Sequence, residues 1–244
     1  MELAADSLDA RRLEYLLPFQ IRDIIAARPV VYLPLGTIEW HCEHLPVGLD
    51  ALTAHGLCLR AAAKGGGLVY PPLYYGTGGG HGAYPWTVMM PEPDEIEAQL
   101  SFTLPRMETL GVRRAVIFSG HFADTQLDMI DRIAARWNAK NTSLTAAASA
   151  VNRIPDHGFA PDHAGLFETT LLHGLHPDLV QESRLPAKTD GSAEADPYGE
   201  QRHAPDHPLW GIFGPDPRGF DRGKAAPLVE AIVAHLVGLG AGSD

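Results

Sequence analysis

Glu39, His41 and Asp50 stand close together in Gly36-Thr37-Ile38-Glu39-Trp40-His41-Cys42-Glu43-His44-Leu45-Pro46, a segment closed by Asp50. Two carboxylates and an imidazole in this arrangement suit a borderline divalent metal such as Zn²⁺ or Mn²⁺. The segment follows directly on Val30-Val31-Tyr32-Leu33-Pro34-Leu35, an apolar run that predicts a buried strand. Open α/β sheets take up their ligands at such strand ends. A carboxylate able to bridge, next to an imidazole and a second carboxylate, is what a two-metal hydrolytic site requires. A polar loop in which Asp50 only caps the next helix would use the same residues.

Three further segments favour the metal reading. Ala115-Val116-Ile117-Phe118 predicts a second buried strand, followed at once by Ser119-Gly120-His121-Phe122-Ala123-Asp124. Asp162-His163-Ala164-Gly165-Leu166-Phe167-Glu168-Thr169-Thr170 is a polar start leading into a helical pattern. Gly78-Gly79-Gly80-His81-Gly82-Ala83-Tyr84-Pro85-Trp86-Thr87 is a glycine-rich loop around one histidine. Each places a His at a junction between regular elements, where ligands sit, and not on an apolar helical face.

Together, the Glu-x-His, the His-Leu-Pro, the Asp at a helix start, the Gly-His after a strand and the His-x-Gly-x-x-Glu-Thr resemble the creatininase (creatinine amidohydrolase) family. The resemblance runs from about Val31 to Val180 and resumes at Gly211-Ile212-Phe213-Gly214. It implies an α/β/α sandwich with a binuclear metal centre, commonly assembled into hexamers. It also implies hydrolysis of non-peptide C–N bonds in cyclic amides and formamides, with some relatives opening cyclic keto-polyols. By the resemblance, Glu39 and His121 are terminal ligands of one ion, His41 is a terminal ligand of the other, and Asp50 bridges. Glu168 is the candidate remaining carboxylate of the second ion, and His163 is the substrate-facing histidine that moves a proton or polarises the carbonyl. The two ions are expected to be Zn, Mn or Fe.

The sequence departs from the family pattern in the residues that line the pocket. Ala123 stands where creatininase carries a ligand Glu, and Asp124 where the family commonly has Asn. His41-Cys42-Glu43-His44 replaces His-Gly-Pro-His, and Pro85-Trp86-Thr87 replaces Pro-Gly-Thr. Substrate contacts are expected from His44, His81, Tyr84, Trp86 and Asp124, and these departures leave the substrate open, creatinine not being implied. Two closely spaced metals lower the pKa of a water from about 16 toward about 7, which makes hydroxide available at neutral pH. A serine or cysteine nucleophile is the rival enzyme reading, but no Gly-x-Ser-x-Gly elbow occurs. A closed structural zinc site is the non-enzymatic rival, although such sites prefer cysteines. Among enzymes, the contest is between a cyclic amidohydrolase and a hydrolase of a keto-polyol, which would need hydrogen bonds from His44, His81 and Asp124.

Composition sets the outer limits. The 244 residues, 45% hydrophobic, suit one α/β domain with a full core. A net charge of -11 argues against a nucleic-acid partner, since backbone phosphates demand a basic face. No apolar run of about 18 residues is evident, so no membrane span is expected. The start of the chain has no basic region of the kind that opens a secretory signal. Two cysteines, Cys42 and Cys58, build no disulfide framework, and a cytoplasmic setting is expected. Cys42 reads as a small packing residue.

The elements that must position these residues follow from periodicity. Helices are predicted over Arg12 to Ala27 (with Pro18 a boundary), after Asp50, and over Ile96 to Leu110, Thr125 to Trp137, Leu166 to Leu175 and Ala225 to Leu239. Strands are predicted at Val30, at Leu68-Val69-Tyr70, at Val116 to Ser119 and over Ser143 to Val151. Their alternation predicts a single-domain three-layer α/β/α sandwich with a mainly parallel central sheet. Pro186 to Arg218 is aperiodic and reads as a long loop. It carries Tyr198, Trp210 and Phe213, aromatics that would either wrap a neighbouring subunit, as in a homohexamer, or fold back on their own chain.

Overall fold

The computed structural model describes residues 7–154, 157–187, 196 and 199–242. Strands β1 (Val30–Leu35), β2 (Leu68–Val69), β3 (Gly76–Thr77), β4 (Met89–Met90), β5 (Arg114–Ser119) and β6 (Thr145–Ala150) alternate with helices. The helices are α1 (Pro18–Ala27), α2 (Leu49–Gly65), α3 (Asp94–Thr109), α4 (Asp124–Asn138), α5 (Leu166–Leu175) and α6 (Ala225–Ala241). The main sheet has the order β2-β1-β5-β6, and every pairing in it is parallel.

Alternation along the central strands creates the layers. Val30 and Tyr32 of β1, with Val116 and Phe118 of β5, pack against α2, α5 and α6. Their neighbours Val31, Leu33, Leu35, Ala115 and Ile117 pack against α1, α3 and α4. A parallel sheet buried on both faces requires continuous apolar strands, and β1 is buried at all positions. Pro34 is tolerated in this central strand because its carbonyl, and hence its missing N–H, faces the side where β2 has ended; that carbonyl accepts from Leu73 N at 3.1 Å.

The strand order creates the site. From β1 the chain crosses by α2 to β2 on one side, and from β5 it crosses by α4 to β6 on the other. The two connections diverge, so a crevice opens at the carboxyl ends of β1 and β5. The register sets Leu35 beside Ser119 there, and hence Gly36 beside Gly120. The first turn of α2 is seated between these glycines. A Cβ on Gly36 would lie 2.2 Å from Ala51 N, and one on Gly120 would lie 2.0 Å from Asp50 O.

Several expectations need correction. The first predicted helix begins only at Pro18, where proline takes the first helical position, and short 3-10 turns cover Leu8–Arg11 and Leu13–Tyr15. Asp50 is not the N-cap of α2; Gly48 holds that position, and Asp50 is the second helical residue. The span Arg222–Ala241, which includes α6, has a mean hydropathy of 1.4 over a membrane-length window, contrary to the expectation of no such segment. Its apolar residues Leu228, Val229, Ile232, Val233 and Leu236 are packed into the core. The short pair β3–β4 is absent from the predicted elements; it brackets the glycine-rich loop that carries His81.

The seating of α2 generates a prediction. Gly120→Ala should lower unfolding stability by about 3 kcal/mol or more, because its new methyl meets backbone and not a movable side chain. Gly80→Ala, with nothing within 4 Å of the added atom, should stay within about 0.5 kcal/mol in the same denaturant titration.

Candidate metal centre

Glu39 and His41 leave the end of β1, His121 leaves the end of β5, Asp50 enters on α2 and Glu168 on α5. All five side chains are buried: Glu39 and Asp50 are 1% exposed, Glu168 3%, His41 0% and His121 6%. They form two triads, Glu39–Asp50–His121 and His41–Asp50–Glu168, each with ligand atoms mutually within 4.8 Å. Asp50 belongs to both. Its Oδ1 lies 3.3 Å from His41 Nε2, and its Oδ2 lies 3.4 Å from His121 Nδ1. His41 Nε2 is also 3.5 Å from Glu168 Oε2, and His121 Nδ1 is 3.1 Å from Glu39 Oε2.

The backbone fixes which nitrogen of each ring faces the carboxylates. His41 Nδ1 donates to the Glu39 carbonyl at 3.0 Å, and His121 Nε2 donates to the Gly78 carbonyl at 3.3 Å. Each neutral imidazole then turns its lone pair on carboxylate oxygens. A lone pair facing an anion is repulsive unless a proton or a metal lies between, and a backbone-anchored second nitrogen is the usual support of a ligating His. Glu39 Oε2, His41 Nε2 and Asp50 Oδ2 are buried without a hydrogen-bond partner. This donor set fits divalent cations.

The electrostatics agree. Burial alone would hold His41 neutral, but the Asp50 and Glu168 carboxylates push its pKa up to about 10. Burial raises the Glu168 carboxyl well above its usual range, with His41 pulling the other way. Burial works against ionised Glu39 too, yet the imidazoles of His121 and His81 hold its carboxyl below the ordinary range. Buried carboxylates of this kind demand compensating positive charge, and Glu168 ionises here only if a further cation is present.

His163 Nε2 donates to the Trp40 carbonyl at 2.8 Å, and its ring lies 4.5 Å from that of His41 and 4.0 Å from that of His81. It also falls in a third ligand-capable group with Glu39 and His41, so geometry alone does not separate it from the ligands. Cys42 and Ala164, which follow His41 and His163, hold left-handed φ values of 59° and 54°. For non-glycine residues this is strained backbone, and each of these two site loops carries one such residue. Glu168 Oε2 accepts from Ala164 N at 2.7 Å, and Asp162 accepts from the amides of Gly165, Phe167 and Glu168, which fixes the start of α5. Cys42 packs in an apolar cluster with Leu45, Leu49 and Ile212.

A cavity of about 200 Å³ opens onto the cluster, lined in part by Gly79, His81, Phe122, Ala123 and His163. Of the expected substrate contacts, His81 is in place, and its Nδ1 bonds Glu39 Oε1. His44 is fully buried, with Nε2 3.0 Å from Thr169 Oγ1, and does not line the cavity. Asp124 is exposed at the start of α4, and Trp86 is 73% exposed; neither lines the cavity. Tyr84 sits behind His81 at a ring separation of 5.5 Å.

Phe213, expected only to wrap a neighbouring subunit or fold back on its own chain, is a neighbour of the site. It stacks on His81 at 5.2 Å and 9°, and its backbone exchanges two hydrogen bonds with His163, of 2.8 and 2.9 Å. Trp210 packs on Trp40 and Tyr84 at 5.2 and 5.3 Å. The described part of the aperiodic segment therefore folds back over its own site, which accounts for Trp210 and Phe213 without a neighbouring subunit. Tyr198 lies outside the described residues.

Removing bound metal by chelation should leave the buried carboxylates with only protons on the neighbouring imidazoles as compensating charge. At a metal concentration of about 1,000 times Kd, the holo form should be more stable by about 4 kcal/mol, read as a drop in Tm on adding EDTA. A Tm indifferent to EDTA, with no metal by elemental analysis, would count against the assignment.

Known proteins share this fold, and a family model spans the segments that carry the site. The creatininase family model, described as creatinine amidohydrolase, matches residues 15–239. Creatinine amidohydrolase of Pseudomonas putida is 27% identical over 183 residues, 66% of this chain and 70% of that protein. The mycofactocin precursor peptide peptidase of Mycolicibacterium smegmatis is 27% identical over 173 residues, 67% of this chain and 65% of that protein. The crystal structure of a creatinine amidohydrolase superposes with a TM-score of 0.72 at 22% identity, covering 93% of this chain and 95% of that one. With the family match spanning nearly the whole sheet and every strand end that carries a site residue, the chain belongs to the creatininase family of metal-dependent amidohydrolases.

Proposed function

We propose that this protein is a binuclear metal-dependent hydrolase that cleaves a non-peptide C–N bond in a cyclic amide or formamide. The observation that carries the reading is the sharing of Asp50 between two triads, one carboxylate oxygen directed to each imidazole. Glu39, Asp50 and His121 would hold one divalent ion, and His41, Asp50 and Glu168 the other. The mixed carboxylate and imidazole donors suit Zn, Mn or Fe. When bound, such ions supply an activated water and a Lewis acid for the scissile carbonyl.

The chain's own groups do the rest. His163, with Nε2–H tied to the Trp40 carbonyl, offers Nδ1 as the atom that can take up a proton and pass it to the leaving nitrogen. Burial holds this imidazole well below its ordinary pKa, and the His41 charge adds to the effect, so the neutral form is favoured. Glu168 is a ligand in this reading and is not also the proton donor. Phe213, Trp210 and Tyr84 stack behind His81 and exclude water from one side of the cavity.

The keto-polyol alternative requires hydroxyl partners from His44, His81 and Asp124. His44 faces Thr169, Asp124 faces solvent, and His81 Nδ1 is engaged by Glu39, so that reading loses its support. The peptidase relative acts within the same broad bond class, C–N hydrolysis, but a cavity of about 200 Å³ favours a small molecule. A homohexamer in the cytoplasm completes the proposal. Exposed Leu17, Phe19 and Phe102 fit subunit contacts, and the free buried cysteines fit a reducing compartment.

Screening the metal-loaded enzyme against lactams, formamides and keto-inositols tests the substrate class, with turnover expected for an amide and none for the polyols. His163→Ala should retain its metal content and lose about 10²- to 10⁴-fold in kcat. Loss of metal in parallel with turnover would make His163 a ligand instead.

A further inference from the structure

A second cleft among the described residues is larger than the catalytic one. It measures about 550 Å³ and runs along the face of α2 that carries Leu52, His55, Gly56, Leu59 and Arg60. These positions recur at helical spacing and form one stripe. The corner after α5 closes one side through Leu175 and His176, and the first 3-10 turn and Tyr74 close the rest. The volume is that of a small-molecule site, and none of its lining residues lines the metal cavity.

Three features mark it as more than a gap in packing. His55 is only 8% exposed, and its Nε2 has no hydrogen-bond partner. Arg60 is half-buried, and among the described residues no carboxylate is within ion-pairing distance of it. Its NH1 donates to the Gly56 carbonyl at 3.1 Å, while the nearest influential acid, Glu230, is held by Lys64 at 2.9 Å. Gly56 lies in mid-helix, where glycine costs about 1 kcal/mol relative to alanine. A Cβ there would sit at ordinary contact distances, 3.4 Å from His176 Nε2 and 3.6 Å from Arg60 NH1. Packing does not require glycine at this point; its effect is to keep the floor of the cleft open.

The charge balance selects the ligand. Arg12 on the opposite wall is already neutralised by Glu14 at 2.8 Å and Asp9 at 3.5 Å. Burial, reinforced by the Arg12 charge, lowers His55 to about 4, so His55 contributes a hydrogen bond and no charge. Arg12 with its two carboxylates carries one net negative charge, so the walls are neutral overall, and Arg60 is the guanidinium that has no carboxylate beside it among the described residues. A monoanion pairs with Arg60 one to one, whereas a phosphate dianion would exceed it and meet Asp9 on the rim.

We propose that this cleft is a second small-molecule site, separate from the metal centre, that takes an organic carboxylate. The carboxylate sits on Arg60 with a hydrogen bond from His55, and its apolar body lies against Leu59, Tyr74 and Leu175. Arg60 offers a charge-assisted contact in a partly desolvated setting, where such bonds are strong. Because α2 also carries Asp50, wedged between Gly36 and Gly120, the ligand would grip the same rigid helix that presents the shared carboxylate.

The test uses metal-loaded protein and two probes. Crystals soaked in 4-iodobenzoate should show anomalous iodine density in the cleft beside Arg60. In solution, benzoate should bind one saturable site by calorimetry, and benzamide and inorganic phosphate should not compete. Arg60→Gln should weaken benzoate about tenfold or more, and Gly56→Met, which fills the floor without altering charge, should abolish binding. Iodine found only at the metal cluster, or benzoate affinity unchanged in both variants, would overturn the proposal. Equal binding of phosphate would overturn the monoanion assignment. The soak uses the wild-type protein, so it decides the question even where a variant fails to fold.

Discussion

A glycine at the end of each of two neighbouring strands lets the backbone of Asp50 pass at a distance that no side chain would allow. Gly36 and Gly120 are aligned by the β1–β5 register, and α2 begins against both. The carboxylate that enters there lies between an imidazole from the end of β1 and one from just beyond β5. If α2 were moved out by the width of a methyl group, one residue could no longer reach both. The sheet order supplies the crevice, the glycines set its depth, and Asp50 fills it.

The rest of the site follows from burying charge in that crevice. Glu39, Asp50 and Glu168 are all but removed from solvent, a state that is costly without cations. His41 and His121 are locked by backbone carbonyls into the tautomers that leave lone pairs pointing inward. The surrounding chain is held in conformations it would not otherwise adopt. Cys42 and Ala164 sit at left-handed φ, and the Asp162 carboxylate gathers three amides at the start of α5. Rigid support of this kind holds ligands in place before any ion arrives.

The candidate ligands that the structure brings together are legible in the sequence because each sits next to a strand or helix signal that periodicity reveals. Glu39 and His41 follow an unbroken apolar run, His121 follows another, and Glu168 lies in the first turn of a helix whose bounds match the predicted ones. What the sequence conceals depends on side-chain direction or on distant pairing. His44 belongs to the same motif as His41 but turns away to Thr169, which lies 125 positions further along. Asp124 follows His121 by only three residues, yet it has already entered α4 and faces solvent. Phe213 reaches the site through a two-way backbone bridge to His163, and no local pattern encodes such a bridge. Strands of two residues, such as β3 and β4, are too short to show a period, so the anchoring of the His81 loop is also hidden.

The central claim is that one aspartate serves two cations, and anomalous diffraction tests it most directly. Crystals of the metal-loaded protein, measured on both sides of the absorption edge of the bound element, should show two peaks about 3.5–4 Å apart, flanking the Asp50 carboxylate. One peak should lie among Glu39, Asp50 and His121, and the other among His41, Asp50 and Glu168. A single peak, or two peaks that do not share Asp50, would contradict the account.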